Sequence, residues 1–251
     1  MIAVFAALQA EVSACLASIE ITGTREVGGF PVTESEGAVI CQTGLGPRAR
    51  QAAEAVLTEY HATTVLSVGI AGGLHKDIKA GDVVVCEHVD HESHRGSGRE
   101  DTVASHPALM DAAETAARGL GLNVITGSSI TADEIAWGEE EKAAHHSWKA
   151  HTIVEMESYW IGEAAAARRI PFLAVRTISD GSEDRISQTG AVRDDGTFDQ
   201  QAFLAYIREH PEAATELAGQ AERSRLALGN LAIVMAGLLP PLVQHFKRDV
   251  C

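Results

Sequence analysis

The sequence predicts an α/β fold, a single-domain three-layer α/β/α sandwich in which helices cover both faces of a central sheet. Short apolar runs of strand length alternate along the chain with Ala-rich segments of helix length. Several of these runs are apolar at successive positions, as is typical of strands that are buried on both faces. Glycine-rich turns follow the strands, and α/β sheets place their ligands at such turns.

Each predicted element rests on its own pattern. The first strand is the unbroken apolar run over residues 2–8, and a helical segment begins close after it, near Glu11. Residues 48–60 are rich in Ala, which favours a helix, whereas the Ser-, Gly- and His-rich residues 91–105 indicate a loop. The patterns predict further strands over residues 38–42, 64–68, 83–89, 123–130, 152–156 and 171–178, and further helices over residues 107–119 and 139–149.

The chain divides into a core and a C-terminal part of different composition. Residues 1–185 form the predicted core, and residues 186–251 form a helical extension packed on the same domain. Residues 226–243 are apolar, but Gly, Asn and a Pro-Pro pair interrupt them, and a membrane-spanning helix needs about 20 apolar residues. This pattern favours a core helix. The alternative is a lid or surface that meets an apolar ligand or a membrane.

Charge and composition exclude some classes of function. The chain has 251 residues and a formal net charge of −15, with no stripe of Lys and Arg. A nucleic-acid partner is therefore excluded, because binding it requires a basic surface. The four cysteines lie far apart, which indicates reduced thiols. The first residues enter a strand without the basic segment of a signal peptide, so a cytoplasmic location is expected.

Acidic residues follow several of the predicted strands. Glu11 follows the first strand, Glu155 and Glu157 follow a later one, and Asp180 follows the strand over residues 171–178. Taken singly, each could be a helix cap, because the helix dipole favours negative charge at its N-terminus. Their shared position at strand ends predicts instead that they converge on one site.

Six motifs in a fixed order resemble those of a known family. They are Glu11 after the first strand, Thr43-Gly-Leu-Gly46, Gly69-Ile-Ala-Gly-Gly-Leu74, Ala80-Gly-Asp-Val-Val84, Val154-Glu-Met-Glu157 and Arg176-Thr-Ile-Ser-Asp180. This series resembles the purine nucleoside phosphorylase/nucleosidase superfamily, most closely the methylthioadenosine/S-adenosylhomocysteine nucleosidases and the hopanoid-associated phosphorylases. The resemblance covers about residues 1–185. It implies a mixed central sheet, an enzyme that cleaves the N-glycosidic bond of a purine nucleoside, no cofactor and a homodimer.

The resemblance assigns one group of residues to the sugar and to the attacking water. Glu157 resembles the acid that binds the ribose 2′- and 3′-hydroxyls, and Met156 resembles the side chain packed against the sugar. Glu11 resembles the carboxylate that positions and deprotonates the water, and Gly72 belongs to a glycine segment of the substrate site. Glu155 is expected to be structural, because a helix beginning at Met156 would leave only one carboxylate in the pocket.

A second group is assigned to the purine. Asp180 resembles the acid that protonates or hydrogen-bonds purine N7, with Ser179 and Arg176 supporting it. Ile135 stands where the nucleosidases place an aromatic residue that stacks on adenine, and Trp137 is close enough to substitute, although packing alone would also explain it. These roles suit the chemistry, because breaking the bond gives an oxocarbenium-like transition state with negative charge on the departing base.

Water is favoured over phosphate as the nucleophile. Phosphorylases of the superfamily carry arginines around the glycine turns, and residues 67–73 contain no basic residue here. Arg48 is a candidate anion ligand, although a solvated helix surface would explain it too. A phosphate-dependent purine nucleoside phosphorylase, with phosphate as co-substrate, is the alternative. A non-catalytic nucleoside- or lipid-binding protein on the same fold is a second alternative, which the retained acids disfavour.

The substrate is expected to be a 5′-substituted adenosine. Ile70 stands where the nucleosidases usually have Ser, so methylthioadenosine is not the only candidate. Residues 195–250 resemble the tails of hopanoid-associated phosphorylases, a subgroup linked to removal of adenine from an adenosylated triterpenoid. An adenosylhopane-like substrate, with peripheral membrane or lipid contact through the apolar C-terminal helix, is therefore a second hypothesis.

A histidine cluster, His88, His91 and His94, lies within this sequence near several acids. Zinc sites draw their ligands at fixed spacing from defined elements, whereas these histidines fall where a strand passes into the predicted loop. We expect a solvated polar loop and no metal.

Overall fold

The computed structural model describes residues 1–95 and 102–248 of the protein. Part of the loop predicted over residues 91–105, namely residues 96–101, lies outside the described residues. The strands are β1 (Ile2–Ala6), β2 (Ile21–Val27), β3 (Phe30–Ser35), β4 (Ala38–Gln42), β5 (Thr64–Gly73), β6 (Val83–His91), β7 (Val103–Ala104), β8 (Val124–Thr131), β9 (Ile153–Glu155) and β10 (Phe172–Asp180). The helices are α1 (Gln9–Leu16), α2 (Arg48–Glu59), α3 (Pro107–Gly119), α4 (Glu139–His146), α5 (Ser158–Ala167), α6 (Gln200–Glu209) and α7 (Ala214–Arg248).

The strands form one mixed sheet that closes on itself at one end. Strands β5, β10, β6, β8 and β9 pair in a ring, because β10 pairs with both β5 and β6, and β9 pairs with both β8 and β5. Strands β1, β4, β3 and β2 extend from β5 in that order, and the short β7 pairs with β6. Most pairs in the ring are parallel, whereas β10–β6 and β9–β5 are antiparallel. The predicted mixed sheet is confirmed.

Apolar side chains pack on both faces of the sheet. On one face, Phe5 of β1 lies in a buried cluster with Val56 of α2 and Ile161 of α5. On the other face, Ile40 of β4 lies in a second cluster with residues of α1, α3 and α7, among them Leu231. Burying each such side chain contributes roughly 1.5–3 kcal/mol. Helices therefore cover both faces of the sheet, as predicted.

A β-hairpin formed by β2 and β3 was not predicted from the sequence. Residues 21–27 are polar and mostly exposed, so they lack the apolar run that indicated the other strands. Gly28 and Gly29 form the turn with φ angles of +60° and +85°. This backbone conformation suits a tight hairpin, and glycine adopts it without strain. The Gly28-Gly29 pair is the feature of the sequence that could have indicated this hairpin.

The apolar C-terminal segment forms the second half of α7. Ala227, Leu231, Met235 and Leu238 are buried against the sheet, whereas Ile233 is exposed. By length and composition alone, residues 211–244 also form a helix that could cross a membrane, and 39% of its most apolar window is buried inside the structure. One face of this helix is therefore part of the core.

The segment that precedes α6 is held against the turns that follow β1 and β4. Gly196 accepts a hydrogen bond from the Gln9 backbone N–H at 3.2 Å, and Asp194 accepts one from the Leu45 N–H at 2.8 Å. Gly196 has a φ of +80°, and a Cβ at this position would lie 2.0 Å from the Ala7 carbonyl oxygen. Only glycine fits this contact.

We predict that Gly196→Ala destabilises the protein by at least about 3 kcal/mol, because the strain of a positive φ adds to a backbone clash. The matched control is Gly121→Ala, which has the same φ of +80° but no atom within 4 Å of the new methyl group. The control should lower the free energy of unfolding by about 1 kcal/mol. Denaturant unfolding of both variants measures the difference, and equal losses would contradict the proposed contact.

Candidate active site

Segments that are distant in the chain meet in one cavity at the end of the strand ring. Glu11 comes from the start of α1, residues 70–72 from β5, residues 155–157 from the end of β9, and residues 179–180 from the end of β10. Ring closure makes the ends of these strands neighbours. All predicted site residues except Arg176 line this cavity, namely Glu11, Gly72, Ile135, Met156, Glu157, Ser179 and Asp180.

The Glu11 carboxylate is held by three backbone N–H groups. One oxygen accepts from Ala7 at 2.9 Å and from Leu8 at 2.8 Å, and the other accepts from Ile70 at 2.8 Å. Only 3% of Glu11 is exposed. Burial raises the pKa of its carboxyl above the ordinary value, although the three hydrogen bonds oppose this shift. A fixed carboxylate with a raised pKa is suited to accept a proton.

Glu157 and Met156 lie where β9 passes into α5. Glu157 occupies the N-cap position of α5, and its carboxylate accepts a hydrogen bond from the Gly46 N–H at 3.0 Å. Burial, followed by the negative charge of Glu155, raises the pKa of Glu157 to about 8. Met156 lines the cavity beside it. Glu157 therefore holds a proton more readily than an ordinary glutamate does.

Glu155 is not free to bind substrate, because its oxygens already have partners within the protein. It pairs with the Arg176 guanidinium at 2.7 Å, and it accepts the backbone N–H groups of Glu157 and Ser158 and the hydroxyl of Thr131. Burial alone would raise the pKa of Glu155, but Arg176 and the hydrogen bonds from Thr131, Ser158 and Glu157 together outweigh it, so this pKa lies below its ordinary value. These contacts fix the start of α5.

Arg176 differs from the expected placement. We expected it to support Asp180 and to bind substrate, but it is 2% exposed and does not line the cavity. Its guanidinium donates to Glu155 and to the Ser67 hydroxyl at 3.0 Å. A buried guanidinium needs a carboxylate partner, and Glu155 supplies it.

Asp180 ends β10 and has two side-chain partners. Its Oδ1 accepts a hydrogen bond from the Ser179 hydroxyl at 2.6 Å. Its Oδ2 lies 2.5 Å from the ammonium of Lys142, a residue that the sequence analysis did not identify. Lys142 follows three glutamates in α4, a pattern typical of a solvated helix face. The sequence therefore gave no signal for its burial.

The C-terminal part of the chain also lines the cavity. Ile186 and Val192 come from the segment after β10, and Gln220 and Ser224 come from α7. Gln220 is oriented by a hydrogen bond from the Ser187 N–H at 3.0 Å. None of these four residues was predicted from the sequence, because no motif marks them.

A second, more open chamber adjoins the cavity and shares Leu45 and Ile135 with it. Arg48 and Trp137 lie in this chamber and not in the main cavity. The Arg48 guanidinium lies over the ring of Phe30, 5.2 Å from its centroid. Neither residue lines the cavity beside Asp180.

The histidine cluster is packed in the fold, so the expectation of a solvated loop is wrong for His91 and His94. They are 3% and 6% exposed. The His91 ring lies 4.4 Å from the ring of Trp160 and 5.3 Å from that of Tyr159, between centroids. Packing against aromatic side chains of α5 replaces the hydration that a loop would have.

Three nearby side chains could together hold a metal ion. The donor atoms of His88, Asp90 and His151 lie within 4.8 Å of one another. However, the Lys149 ammonium lies 3.3 Å from both oxygens of Asp90 and already supplies a positive charge. The absence of a metal stays a prediction.

Curated relatives of the chain are nucleosidases. The 5′-methylthioadenosine/S-adenosylhomocysteine nucleosidase of Shewanella loihica is 26% identical over 200 residues, which cover 73% of this chain and 87% of that protein. The enzyme of the same name from Shewanella denitrificans is 30% identical over 159 residues, covering 58% of this chain and 69% of that protein.

Solved structures share the fold. The 5′-methylthioadenosine/S-adenosylhomocysteine nucleosidase of Neisseria meningitidis, in complex with methylthio-immucillin-A, has a TM-score of 0.74 at 24% identity and covers 95% of this chain and 97% of its own. The futalosine hydrolase of Helicobacter pylori has a TM-score of 0.67 at 17% identity and covers 88% of this chain and 97% of its own.

The family model described as the phosphorylase superfamily matches residues 1–208 of the chain. The predicted family and fold are therefore confirmed, and the chain belongs to the phosphorylase superfamily and is an enzyme on its nucleoside phosphorylase and nucleosidase fold.

Proposed function

We propose that the protein hydrolyses the N-glycosidic bond of a purine nucleoside, a 5′-substituted adenosine, with water as the nucleophile. The observation that carries this proposal is the arrangement of Glu11 and Asp180 in one cavity, with Glu11 fixed by three backbone N–H groups. The names of the curated relatives, which are nucleosidases, support the same activity.

Each acid has a separate task in this reaction. Glu157 and Met156 hold the ribose, and the C1′–N9 bond breaks with its electron pair moving to the purine. Asp180 provides the proton or hydrogen bond at N7, which neutralises the departing base. Glu11 accepts a proton from the water that attacks C1′. A general acid or base typically contributes 10²–10⁴-fold to the rate, so both residues are needed.

The charge of the cavity disfavours phosphate. The residues that line it include Glu11, Glu134, Glu157 and Asp180, and none of the described lining residues is Lys, Arg or His. The Glu11 carboxylate also occupies the N–H groups that could otherwise bind an anion. A phosphate dianion would therefore be repelled, which supports hydrolysis over the phosphorolytic alternative.

Apolar side chains support an apolar 5′-substituent. Leu8, Leu45, Ile135, Ile186 and Val192 line the cavity. A methylthio group would fit such a lining, and so would the hydrocarbon of an adenosylhopane-like substrate, which we keep as the second candidate. Peripheral lipid contact through α7 belongs to that second candidate. We further infer from the family resemblance a cytoplasmic homodimer.

We predict that wild-type protein releases free adenine without phosphate, and that added phosphate does not accelerate release. Glu11→Gln and Asp180→Asn should each lower kcat by about 10²–10⁴-fold, because each removes a group that moves or holds a proton. Base release followed by chromatography measures these rates.

Matched controls for these variants are Glu26→Gln and Asp111→Asn, which change exposed side chains and should keep full activity. Absolute dependence on phosphate would overturn the hydrolytic assignment. Binding of nucleosides with no release of base would favour the non-catalytic alternative.

We predict that kcat/KM is higher for apolar than for charged 5′-substituents in a panel of adenosine, methylthioadenosine, S-adenosylhomocysteine and adenosylhopane. Val192→Asp should lower kcat/KM for the preferred apolar substrate by about tenfold but leave adenosine nearly unchanged, because it adds charge to the apolar wall. Preference for adenosylhopane over methylthioadenosine would support the lipid substrate, and the reverse preference would eliminate it.

We predict that Glu157→Gln inactivates the enzyme but stabilises the fold at alkaline pH. A carboxyl with a raised native pKa binds a proton in the folded state that the unfolded chain has lost, so stability falls as pH rises from about 4.5 to about 8. The variant should be more stable than wild type by about 2–4 kcal/mol at pH 8.5, and nearly equal to it at pH 4.5.

The control is Glu155→Gln, which leaves Arg176 buried without its carboxylate and should destabilise the protein at pH 8.5. Urea unfolding at both pH values gives the comparison. A Glu157→Gln variant less stable than wild type at pH 8.5 would show that the folded protein tolerates the ionised carboxylate.

A further inference from the structure

Lys142 forms a buried ion pair with the acid that faces the purine. The side chain of Lys142 is 0% exposed and that of Asp180 is 5% exposed. The ammonium donates to Asp180 Oδ2 at 2.5 Å, to the Gly181 carbonyl at 2.7 Å and to the Asp184 carbonyl at 3.0 Å. An ammonium has three N–H donors, and all three are used here. The contacts therefore suit the charged form of the lysine.

Gly72 of β5 has no side chain and so leaves space for this ion pair. A Cβ on Gly72 would lie 3.0 Å from Asp180 Oδ2 and 3.6 Å from Lys142 Cε. Lys142 itself is absent from the lining of the cavity, whereas Asp180 is part of it. Any effect of the lysine on a bound nucleoside is therefore transmitted through Asp180.

Other charged groups near the pair have their own partners. Asp184 accepts the Gly181 N–H at 2.7 Å and lies 3.6 Å from Arg223 of α7. On α4, Glu141 accepts the Gly138 N–H at 3.1 Å, and on β9, Glu155 is paired with Arg176. Among the described residues, Asp180 is thus the only carboxylate that contacts the Lys142 ammonium.

We propose that Lys142 is a positioning residue that supplies, through Asp180, the proton taken by the departing purine. This inference rests on the proposed nucleosidase function. The pair carries no net charge whether the proton lies on the lysine nitrogen or on the aspartate oxygen. A shift of the proton within the pair therefore creates no net charge in the buried site, where net charge is costly.

One proton passes from Lys142 through Asp180 to the purine. As the C1′–N9 bond breaks, its electron pair passes to the purine, an Nζ–H bond of Lys142 breaks to give its proton to the Asp180 carboxylate, and N7 takes that proton from the Asp180 carboxyl. Water adds to C1′ and gives a proton to Glu11. After the purine leaves, Lys142 regains a proton through Asp180 from solvent, and Glu11 releases one.

The test compares two leaving groups on the same sugar. An adenine nucleoside needs a proton as the base departs, whereas a 4-nitrophenyl riboside does not, because 4-nitrophenolate is a stable anion. We expect Lys142→Met to lower kcat on the adenine nucleoside by about 10²-fold and to leave cleavage of the 4-nitrophenyl riboside little changed. Lys149→Met, which changes a lysine paired with Asp90, is the matched control and should keep both activities.

A double variant tests whether the lysine acts through Asp180. Lys142→Met/Asp180→Asn removes both charges, so it should fold even if Lys142→Met alone does not. On the adenine nucleoside, the double variant should have the same residual kcat as Asp180→Asn. A further loss in the double variant, equal losses on both leaving groups, or full activity of Lys142→Met would overturn the proposal. A wild type that cleaves only the 4-nitrophenyl riboside would instead overturn the proposed function.

Discussion

The buried ion pair between Arg176 and Glu155 is the interaction on which the site depends. The two side chains are 2% and 1% exposed and lie 2.7 Å apart, joining β10 to β9 at the edge of the cavity. The same Glu155 oxygen accepts the backbone N–H groups that begin α5, which places Glu157 at the N-cap. Burial raises the pKa values of Glu11 and Glu157, and the charge of Arg176, which is paired with Glu155, offsets this rise only in part.

Much of the fold was predictable because the core strands carry uninterrupted apolar runs. The runs over residues 2–8 and 38–42 correspond to β1 and β4, which are buried on both faces. The hairpin over residues 21–35 was missed because β2 is solvated and has no apolar face. The closure of the strand ring could not be predicted either, since it depends on β10 pairing with β5 and β6 at once, and no local pattern encodes that pairing.

The candidate site was predictable where a motif marks it. Glu11, Glu157 and Asp180 follow strands in recognisable segments, and the structure places all three in one cavity. Contacts that depend on packing were not predictable. Arg176 was expected beside Asp180, but β10 is irregular between Ile178 and Asp180, which breaks the strand alternation that would put residues 176 and 180 on one face, and Arg176 pairs with Glu155 instead. Lys142 was overlooked because its helix has the charge pattern of an exposed surface. Their roles in catalysis stay predictions.

The order of the strands has a consequence for synthesis of the chain. β10 is the last strand, yet it pairs with β5 and β6 from the middle of the sequence and carries both Arg176 and Asp180. A nascent chain shorter than about 180 residues therefore exposes the unpaired edges of β5 and β6 on the ribosome. Because these pairings join residues about 100 positions apart, they form slowly. The end of the sheet that holds the candidate site is thus expected to be the last part to assemble.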